Sequence, residues 1–216
     1  MHSQRLSAGL RLYLIADPDL SSRPLDEVVA AALDGGVTAV QLRAKSLTDR
    51  EILTLARSIR ALCERAGSLF FVNDRVDLAL AAHADGVHLG VDDLPLEDAR
   101  HILGGEKLIG YSPETNDQAA SARDWGADYL GVGPVFGTAS KLDAGHAIGL
   151  ESLRRRVALA VIPVVGIGGI NPDNARSVMQ TGAAGVAVVS AILRASDPRA
   201  ASTELCDVLE SFLRAT

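Results

Sequence analysis

Aromatic residues and cysteines are scarce in this sequence of 216 residues: aromatic side chains make up 4% of it, and there are only two cysteines. Cys63 and Cys206 lie far apart, each in a helix-like segment, so neither a disulfide framework nor a cysteine-based metal site is expected. A reducing, cytoplasmic location fits this pattern. The first six residues contain no apolar run, and a secretory signal peptide is therefore not expected.

Positive charge is also limited, because 21 Lys and Arg residues face 27 Asp and Glu residues and leave a net charge of −6. Nucleic acids and anionic membranes are bound by basic surfaces, so neither partner is expected. The longest apolar stretch, residues 157–170, is broken by Pro163 and by glycines, which argues against a membrane span. Any anionic ligand must therefore bind at a local cluster of cations.

Short apolar runs alternate with longer amphipathic ones along the sequence. Eight apolar runs predict β-strands at residues 10–16, 38–42, 69–72, 86–89, 108–111, 129–132, 164–167 and 185–189. Eight stretches with helical periodicity lie between or after them, at residues 25–33, 48–65, 76–82, 96–103, 116–125, 150–160, 174–181 and 198–214. Strands that are apolar at every position are typical of a parallel sheet covered by helices.

This alternation predicts an α/β fold, a single (β/α)8 TIM barrel that spans residues 1–216 as one domain. The alternative is an open, doubly wound sheet. In that fold a Gly-x-Gly-x-x-Gly motif often follows the first strand, whereas Ala16-Asp17-Pro18-Asp19 stands there in this sequence. The barrel is therefore the preferred interpretation.

Two carboxylates follow neighbouring strands of the predicted barrel, at the end where functional sites are found. Asp74 ends the third strand and Asp93 follows the fourth. Because neighbouring strands lie about 5 Å apart, the two residues are candidates to share one Mg²⁺ with a phosphorylated ligand. Capping of the helices that follow explains both residues equally well at this point.

Cations also collect at this end. Gln41-Leu42-Arg43-Ala44-Lys45 alternates like a strand that emerges from the sheet, which turns Gln41, Arg43 and Lys45 to one side. An arginine there can bind a phosphate through two donors, while a lysine acts as a point charge. Together they predict an anion site.

Two further segments carry hydrogen-bond donors. The long connection at residues 133–149 contains Thr138, Ser140 and Lys141, and loops of this length are usually lids or binding segments. Gly168-Gly169 after the seventh strand and Val189-Ser190 after the eighth match the phosphate-binding loops of TIM barrels. His88 lies inside the fourth strand, where a structural role is expected.

Taken together, these motifs resemble the thiamine phosphate synthase family over nearly the whole chain. The resemblance is carried by Leu12-Tyr13-Leu14-Ile15, Gln41-Leu42-Arg43-Ala44-Lys45, Val72-Asn73-Asp74-Arg75-Val76-Asp77, Gly86-Val87-His88-Leu89-Gly90, Gly131-Val132-Gly133-Pro134-Val135-Phe136, Thr138-Ala139-Ser140-Lys141 and Pro163-Val164-Val165-Gly166-Ile167-Gly168-Gly169-Ile170. It implies a Mg²⁺-dependent transferase of thiamine biosynthesis. Such an enzyme couples 4-amino-2-methylpyrimidine-5-ylmethyl diphosphate with thiazole ethyl phosphate, giving thiamine phosphate and diphosphate.

The resemblance also implies roles for individual residues. Asp74 and Asp93 would hold Mg²⁺ against the diphosphate, and Gln41 would lie near the pyrimidine. The diphosphate would be bound by Arg43, Lys45, Asn73 and Lys141. Thr138 and Ser140 would contact the thiazole or the diphosphate, and the thiazole phosphate would be received by Gly168, Gly169, Val189 and Ser190. Lys141, Arg43 and Ser112 are the expected catalytic residues.

The sequence departs from the family pattern at three positions. Val91 replaces a usual glutamine, Glu114 stands where a histidine is common, and Ser140 replaces a threonine. One alternative is a thiazole tautomerase-like enzyme of the same fold, which would need a histidine near position 114 and tends to lack the Asn73-Asp74 pair. Another is a non-catalytic barrel that binds a phosphorylated ligand, against which the presence of Asp74 and Asp93 argues. The sequence is compatible with a homo-oligomer but leaves the oligomeric state open.

Overall fold

The computed structural model describes residues 2–137 and 146–214. Eight parallel strands pair in sequence order, and the first pairs with the last to close a barrel. The strands are β1 (Leu12–Ala16), β2 (Ala39–Leu42), β3 (Leu69–Asn73), β4 (Gly86–Leu89), β5 (Leu108–Tyr111), β6 (Tyr129–Val132), β7 (Val164–Ile167) and β8 (Gly185–Val188). The predicted (β/α)8 TIM barrel is confirmed.

Helices cover the outside of the barrel and alternate with the strands. They are α1 (His2–Gly9), α2 (Leu25–Asp34), α3 (Asp49–Ala66), α4 (Val76–Ala81), α5 (Leu96–Leu103), α6 (Asn116–Ser121), α7 (Gly149–Leu159), α8 (Pro172–Met179), α9 (Ser190–Leu193) and α10 (Pro198–Arg214), with a short 3₁₀ helix at Pro18–Leu20. None of the helices in the described ranges is both long and apolar enough to cross a membrane.

Local sequence signals explain several helix ends. Thr48 caps α3 in a reciprocal arrangement with Glu51, in which each side chain accepts a hydrogen bond from the backbone of the other residue. Gly67 ends the same helix in the left-handed conformation, with φ of +69°, which favours glycine. Asn171 and Asn174 form an equivalent capping box at the start of α8. The caps of α3 and α8 set where the loops after β2 and β7 stop, and Gly67 starts the turn into β3.

The apolar side chains form two clusters, one between the sheet and the helices and one inside the barrel. The interior cluster contains Tyr13, Phe71 and Tyr129, whose rings are in contact: the Tyr13 and Phe71 centroids lie 5.5 Å apart, and those of Phe71 and Tyr129 lie 5.2 Å apart. Gly110 leaves space inside the barrel, because a Cβ atom there would collide with both Tyr129 and His88. The interior is therefore filled by a few large rings next to glycines.

Candidate active site

Arg43 is held by a buried carboxylate on the neighbouring strand end. Its Nη1 lies 2.6 Å from Asp17 Oδ2, and the Asp17 side chain is only 3% exposed. Asp17 also accepts a hydrogen bond from the backbone N–H of Asp19. The backbone N–H of Arg43 donates to the carbonyl of Ala16, which continues the pairing of β1 with β2 and places Asp17 beside Arg43.

Lys45 and the two predicted metal ligands form a second charged group. Lys45 Nζ lies 3.5 Å from Asp74 Oδ2, and the lysine side chain is half exposed. Burial raises the pKa of Asp74, and the Asp93 carboxyl, which is hydrogen-bonded to Asp74 and carries the same charge, adds to this rise. Lys45 lowers the pKa of Asp74 by a smaller amount, and the resulting pKa is about 6. The structure thus brings Asp74 and Asp93 together. The positive charge of Lys45 offsets only part of the negative charge of this pair.

The capping interpretation of these two residues is not observed. The residue at the N-cap position of α4 is Arg75 and that of α5 is Pro95, and neither helix has a side-chain cap. Asp93 Oδ2 instead accepts a 2.7 Å hydrogen bond from the N–H of Gly90, inside the loop after β4. Asp74 adopts a left-handed conformation with φ of +61°, which is uncommon for a residue other than glycine and is often found at functional sites.

The loop between β2 and α3, which carries Arg43 and Lys45, is fixed at both sides. Ser46 Oγ donates a 2.6 Å hydrogen bond to Asp19. At the start of α3, Asp49 pairs with the guanidinium of Arg75, whose Nη2 lies 2.9 Å from Asp49 Oδ2. Arg75 directly follows Asp74, so the loop that carries Lys45 is tied to the loop that carries Asp74.

A hydrogen-bond network runs through the barrel interior below this charged group. Gln41 Nε2 donates to Tyr13 Oη at 2.9 Å, and Tyr13 Oη lies 2.8 Å from Tyr129 Oη. Tyr129 Oη lies 3.0 Å from His88 Nδ1, and His88 Nε2 lies 2.8 Å from Ser112 Oγ. These five residues, Gln41, Tyr13, Tyr129, His88 and Ser112, are called the interior hydrogen-bond network below. It joins two predicted site residues, Gln41 and Ser112.

The predicted phosphate loops have a compact, glycine-dependent form. Gly168 and Gly169 have φ of +98° and +65°, and a Cβ atom at either would collide with the 134–137 segment. The carbonyl of Gly168 accepts from Phe136 N–H, and that of Gly169 accepts from Asn174 Nδ2. Ser190, which follows the eighth strand as predicted, is the first residue of the short helix α9, with Val189 at its N-cap position.

Three predicted site residues, Thr138, Ser140 and Lys141, lie outside the described residues. Asn73 ends β3 directly opposite His88 in the strand register. The other predicted residues lie at or just after the C-terminal ends of the strands, so one face of the barrel carries them all. Among the residues that the structure describes, no three His, Cys, Asp or Glu side chains form a metal-binding group. Asp74 and Asp93 are a pair of neighbouring carboxylates.

Two cavities lie at different places around the barrel. One of about 230 Å³ lies beside the site and is lined by Val91, Asp93, Tyr111 and Trp125 among others. A larger one of about 670 Å³ lies at the N-terminal end, between Arg11, Pro163 and Ala184. The larger cavity lies at the opposite end from the charged groups, so its size does not make it the active site.

Sequence reasoning missed the pairing of Asp17 with Arg43 and the support that Tyr13 and Tyr129 give to the site. It predicted a structural role for His88 but named no contact for it. Alternation along β1 and β6 was a usable signal, since it turns both tyrosines into the barrel. A buried tyrosine hydroxyl requires a hydrogen-bond partner. Which partner each one has depends on the closed barrel and is not encoded in local sequence.

Comparisons with known proteins agree with this geometry. Residues 12–192 match the family model described as thiamine monophosphate synthase. The thiamine-phosphate synthase of Moorella thermoacetica is 53% identical over 199 residues, which cover 92% of this chain and 95% of that protein. The solved structure of thiamine phosphate pyrophosphorylase from Pyrococcus furiosus superposes with a TM-score of 0.89 at 47% identity, covering 96% of this chain and 99% of that one. A 3-hexulose-6-phosphate synthase structure, at 18% identity and a TM-score of 0.70, shares the fold.

Proposed function

Because the chain belongs to the thiamine monophosphate synthase family, we propose that its barrel mouth joins an aminopyrimidine methyl diphosphate to a thiazole ethyl phosphate. The enzyme is a transferase, a thiamine-phosphate synthase, and it releases diphosphate. One observation assigns the reaction to this site. Asp74, Asp93 and Lys45 form a group at the same end of the barrel as the Asp17–Arg43 pair.

The reaction breaks the bond between the pyrimidine CH₂ carbon and the diphosphate oxygen, and the electron pair leaves with diphosphate. The thiazole nitrogen then donates its lone pair to form the new C–N bond. Negative charge grows on the leaving group, so fixed cations stabilise the transition state more than the ground state. Arg43, fixed by Asp17, and Lys45 supply that charge from the described residues. Lys141 is proposed as a third cation.

Asp74 and Asp93 fit a divalent cation, and we propose Mg²⁺ as the cofactor they would hold. The support is the raised pKa of Asp74, caused by burial and by Asp93, since two close carboxylates favour a bound cation. Mg²⁺ that is shared with substrate phosphates is usually held by one or two protein carboxylates, and this pair falls within that range. When bound, the metal would neutralise charge on the departing diphosphate.

The thiazole phosphate is proposed to bind at Gly168, Gly169, Val189 and Ser190. The support is the left-handed backbone of both glycines and the position of Ser190 at the start of α9, which resemble the phosphate-binding loops of other TIM barrels. Ser112 is proposed to contact the pyrimidine together with Gln41. Asn73 is proposed to contact the diphosphate. Thr138 and Ser140 are proposed to contact the thiazole or the diphosphate.

The test is product formation from the two purified precursors, with and without Mg²⁺, followed by chromatography and mass spectrometry. We expect thiamine phosphate and diphosphate in equal amounts, only with metal present. A non-aromatic thiazole phosphate supplied alone should not be isomerised, because proton transfer near neutral pH is the chemistry of a histidine, and Glu114 stands at the expected position. Metal-independent isomerisation without coupled product would identify a tautomerase, and binding without any turnover would identify a non-catalytic barrel.

A further inference from the structure

The interior hydrogen-bond network has a direction that follows from counting its hydrogens. Burial raises the pKa of both Tyr13 and Tyr129 well above the ordinary value for a phenol, so each hydroxyl keeps its one hydrogen. Gln41 Nε2 donates to Tyr13, which makes the Tyr13 oxygen an acceptor and leaves its hydrogen for Tyr129. Tyr129 then has its own hydrogen left to donate to His88 Nδ1.

The same count continues to Ser112. With Nδ1 accepting, the neutral imidazole carries its proton on Nε2, and Nε2 donates to Ser112 Oγ. The serine hydrogen is then left for a group outside the network. At the opposite end, the amide oxygen of Gln41 receives no hydrogen bond from the described residues. The network therefore ends in an acceptor at Gln41 and a donor at Ser112.

We infer that Tyr13, Tyr129 and His88 are positioning residues that determine which hydrogen-bonding groups Gln41 and Ser112 present to the pyrimidine, and thereby select a 4-amino over a 4-oxo ring. The inference rests on the proposed function, which supplies the aminopyrimidine. An amino group donates to the Gln41 oxygen, whereas a carbonyl at the same ring position would face that oxygen with no hydrogen between them. A site built around one hydrogen-bond pattern rejects a ligand that carries the opposite one.

The packing around the network supports this role. Gln41, Tyr13 and Tyr129 are 4%, 2% and 0% exposed, so bulk water does not compete for their hydrogen bonds. Gly110 and Gly131 face the network from β5 and β6. A Cβ atom at Gly131 would lie 3.0 Å from His88 Cε1, and one at Gly110 would overlap the Tyr129 hydroxyl and His88 Nδ1. Strand positions without side chains thus leave room for the His88–Tyr129 hydrogen bond.

Removing a distant hydroxyl should change the group that Gln41 presents. In Tyr129→Phe, the Tyr13 hydroxyl loses its acceptor. It then regains a partner only if it donates to the Gln41 oxygen, because an unsatisfied buried donor is costly. The amide would turn and present its NH₂ group, although Tyr129 does not touch Gln41. Tyr13→Phe would instead leave the Gln41 amide free to adopt either orientation.

The experiment compares kcat/KM for the aminopyrimidine methyl diphosphate and its 4-oxo analogue in wild type, Tyr129→Phe and Tyr13→Phe. Tyr111→Phe is the matched control, since it removes the hydroxyl of a β5 tyrosine that takes no part in the network. We expect wild type and Tyr111→Phe to prefer the amino compound by about 100-fold or more. In both network variants this ratio should fall by about tenfold or more.

The inference would be overturned if both network variants kept the wild-type ratio of kcat/KM for the amino and the 4-oxo compound. An equal loss of kcat/KM with both compounds is such a result, because a merely structural role would lower both equally. A wild-type preference for the 4-oxo compound would show the opposite hydrogen-bond direction and would also overturn it. If wild type formed no product with either compound, the proposed function would fail. The affinities of the two diphosphates, measured by calorimetry on the same four proteins, would still test the selection.

Discussion

At the scale of single residues, the site depends on acids that hold cations in place. The sequence pattern singles out Arg43 and Lys45, because they alternate at the end of an apolar strand. It does not show that Asp17 fixes Arg43, since that contact depends on the register between β1 and β2, in which Ala16 lies opposite Leu42. The roles of Asp74 and Asp93 as metal ligands stay predictions. Their proximity, however, is a feature of the structure.

Asp17→Asn should weaken diphosphate recognition. The amide keeps the shape and an acceptor oxygen but loses the charge that fixes the Arg43 guanidinium. We expect kcat/KM for the aminopyrimidine diphosphate to fall about tenfold, equivalent to about 1.4 kcal/mol, while the KM for thiazole phosphate is unchanged. Steady-state kinetics with each substrate varied in turn measures this. The exposed Asp124→Asn serves as control, and an unaffected diphosphate KM in Asp17→Asn would argue against the role.

At the scale of elements, the sequence predicts most of the fold. Four of the eight strands, at 86–89, 108–111, 129–132 and 164–167, agree with prediction at both ends, because in each an apolar run is bounded by polar residues, glycine or proline. The helices α1 and α9 and the 3₁₀ helix at Pro18–Leu20 were missed. Two of these span only three and four residues, too short for a helical period to be visible. Helix α6 is shorter than predicted and ends at Ser121.

One helix also supports the loop after β5. Arg156 of α7 is 8% exposed, and its guanidinium donates to the carbonyls of Pro113 and Glu114 at 3.2 and 2.6 Å. Its Nε has no partner among the described residues. The loop begins with Ser112, so this contact fixes the backbone next to a predicted catalytic residue.

Arg156→Lys should destabilise the protein, because one ammonium group cannot reproduce both hydrogen bonds of the planar guanidinium. The expected loss is about 1–3 kcal/mol, the cost of leaving a buried polar group unsatisfied. At this chain length, each kcal/mol lowers the melting temperature by about 2–4 °C. Thermal unfolding followed by circular dichroism measures the change. The exposed neighbour Arg155→Lys should melt like wild type, and equal melting temperatures for the two variants would contradict the role of Arg156.

At the scale of the whole molecule, a protein with a net charge of −6 is proposed to bind two anionic substrates. This is consistent because Arg43 and Lys45 lie close together at the C-terminal end of the barrel, where residues that follow several different strands meet. Eight strands from all parts of the chain meet there, so alternation and turn signals can predict the face but not the contacts across it. The single domain over residues 1–216 and the cytoplasmic location stay predictions.

The most direct test of the account is the Mg²⁺ dependence of thiamine phosphate formation by wild type and Asp93→Asn, with Asp98→Asn on the exposed side of α5 as the control. Wild type and Asp98→Asn should require Mg²⁺ and saturate with it. Asp93→Asn should lose about 100-fold or more in rate while keeping its melting temperature, because metal stabilisation of the departing diphosphate is worth several kcal/mol. An Asp93→Asn enzyme with the rate and Mg²⁺ dependence of wild type would contradict the account.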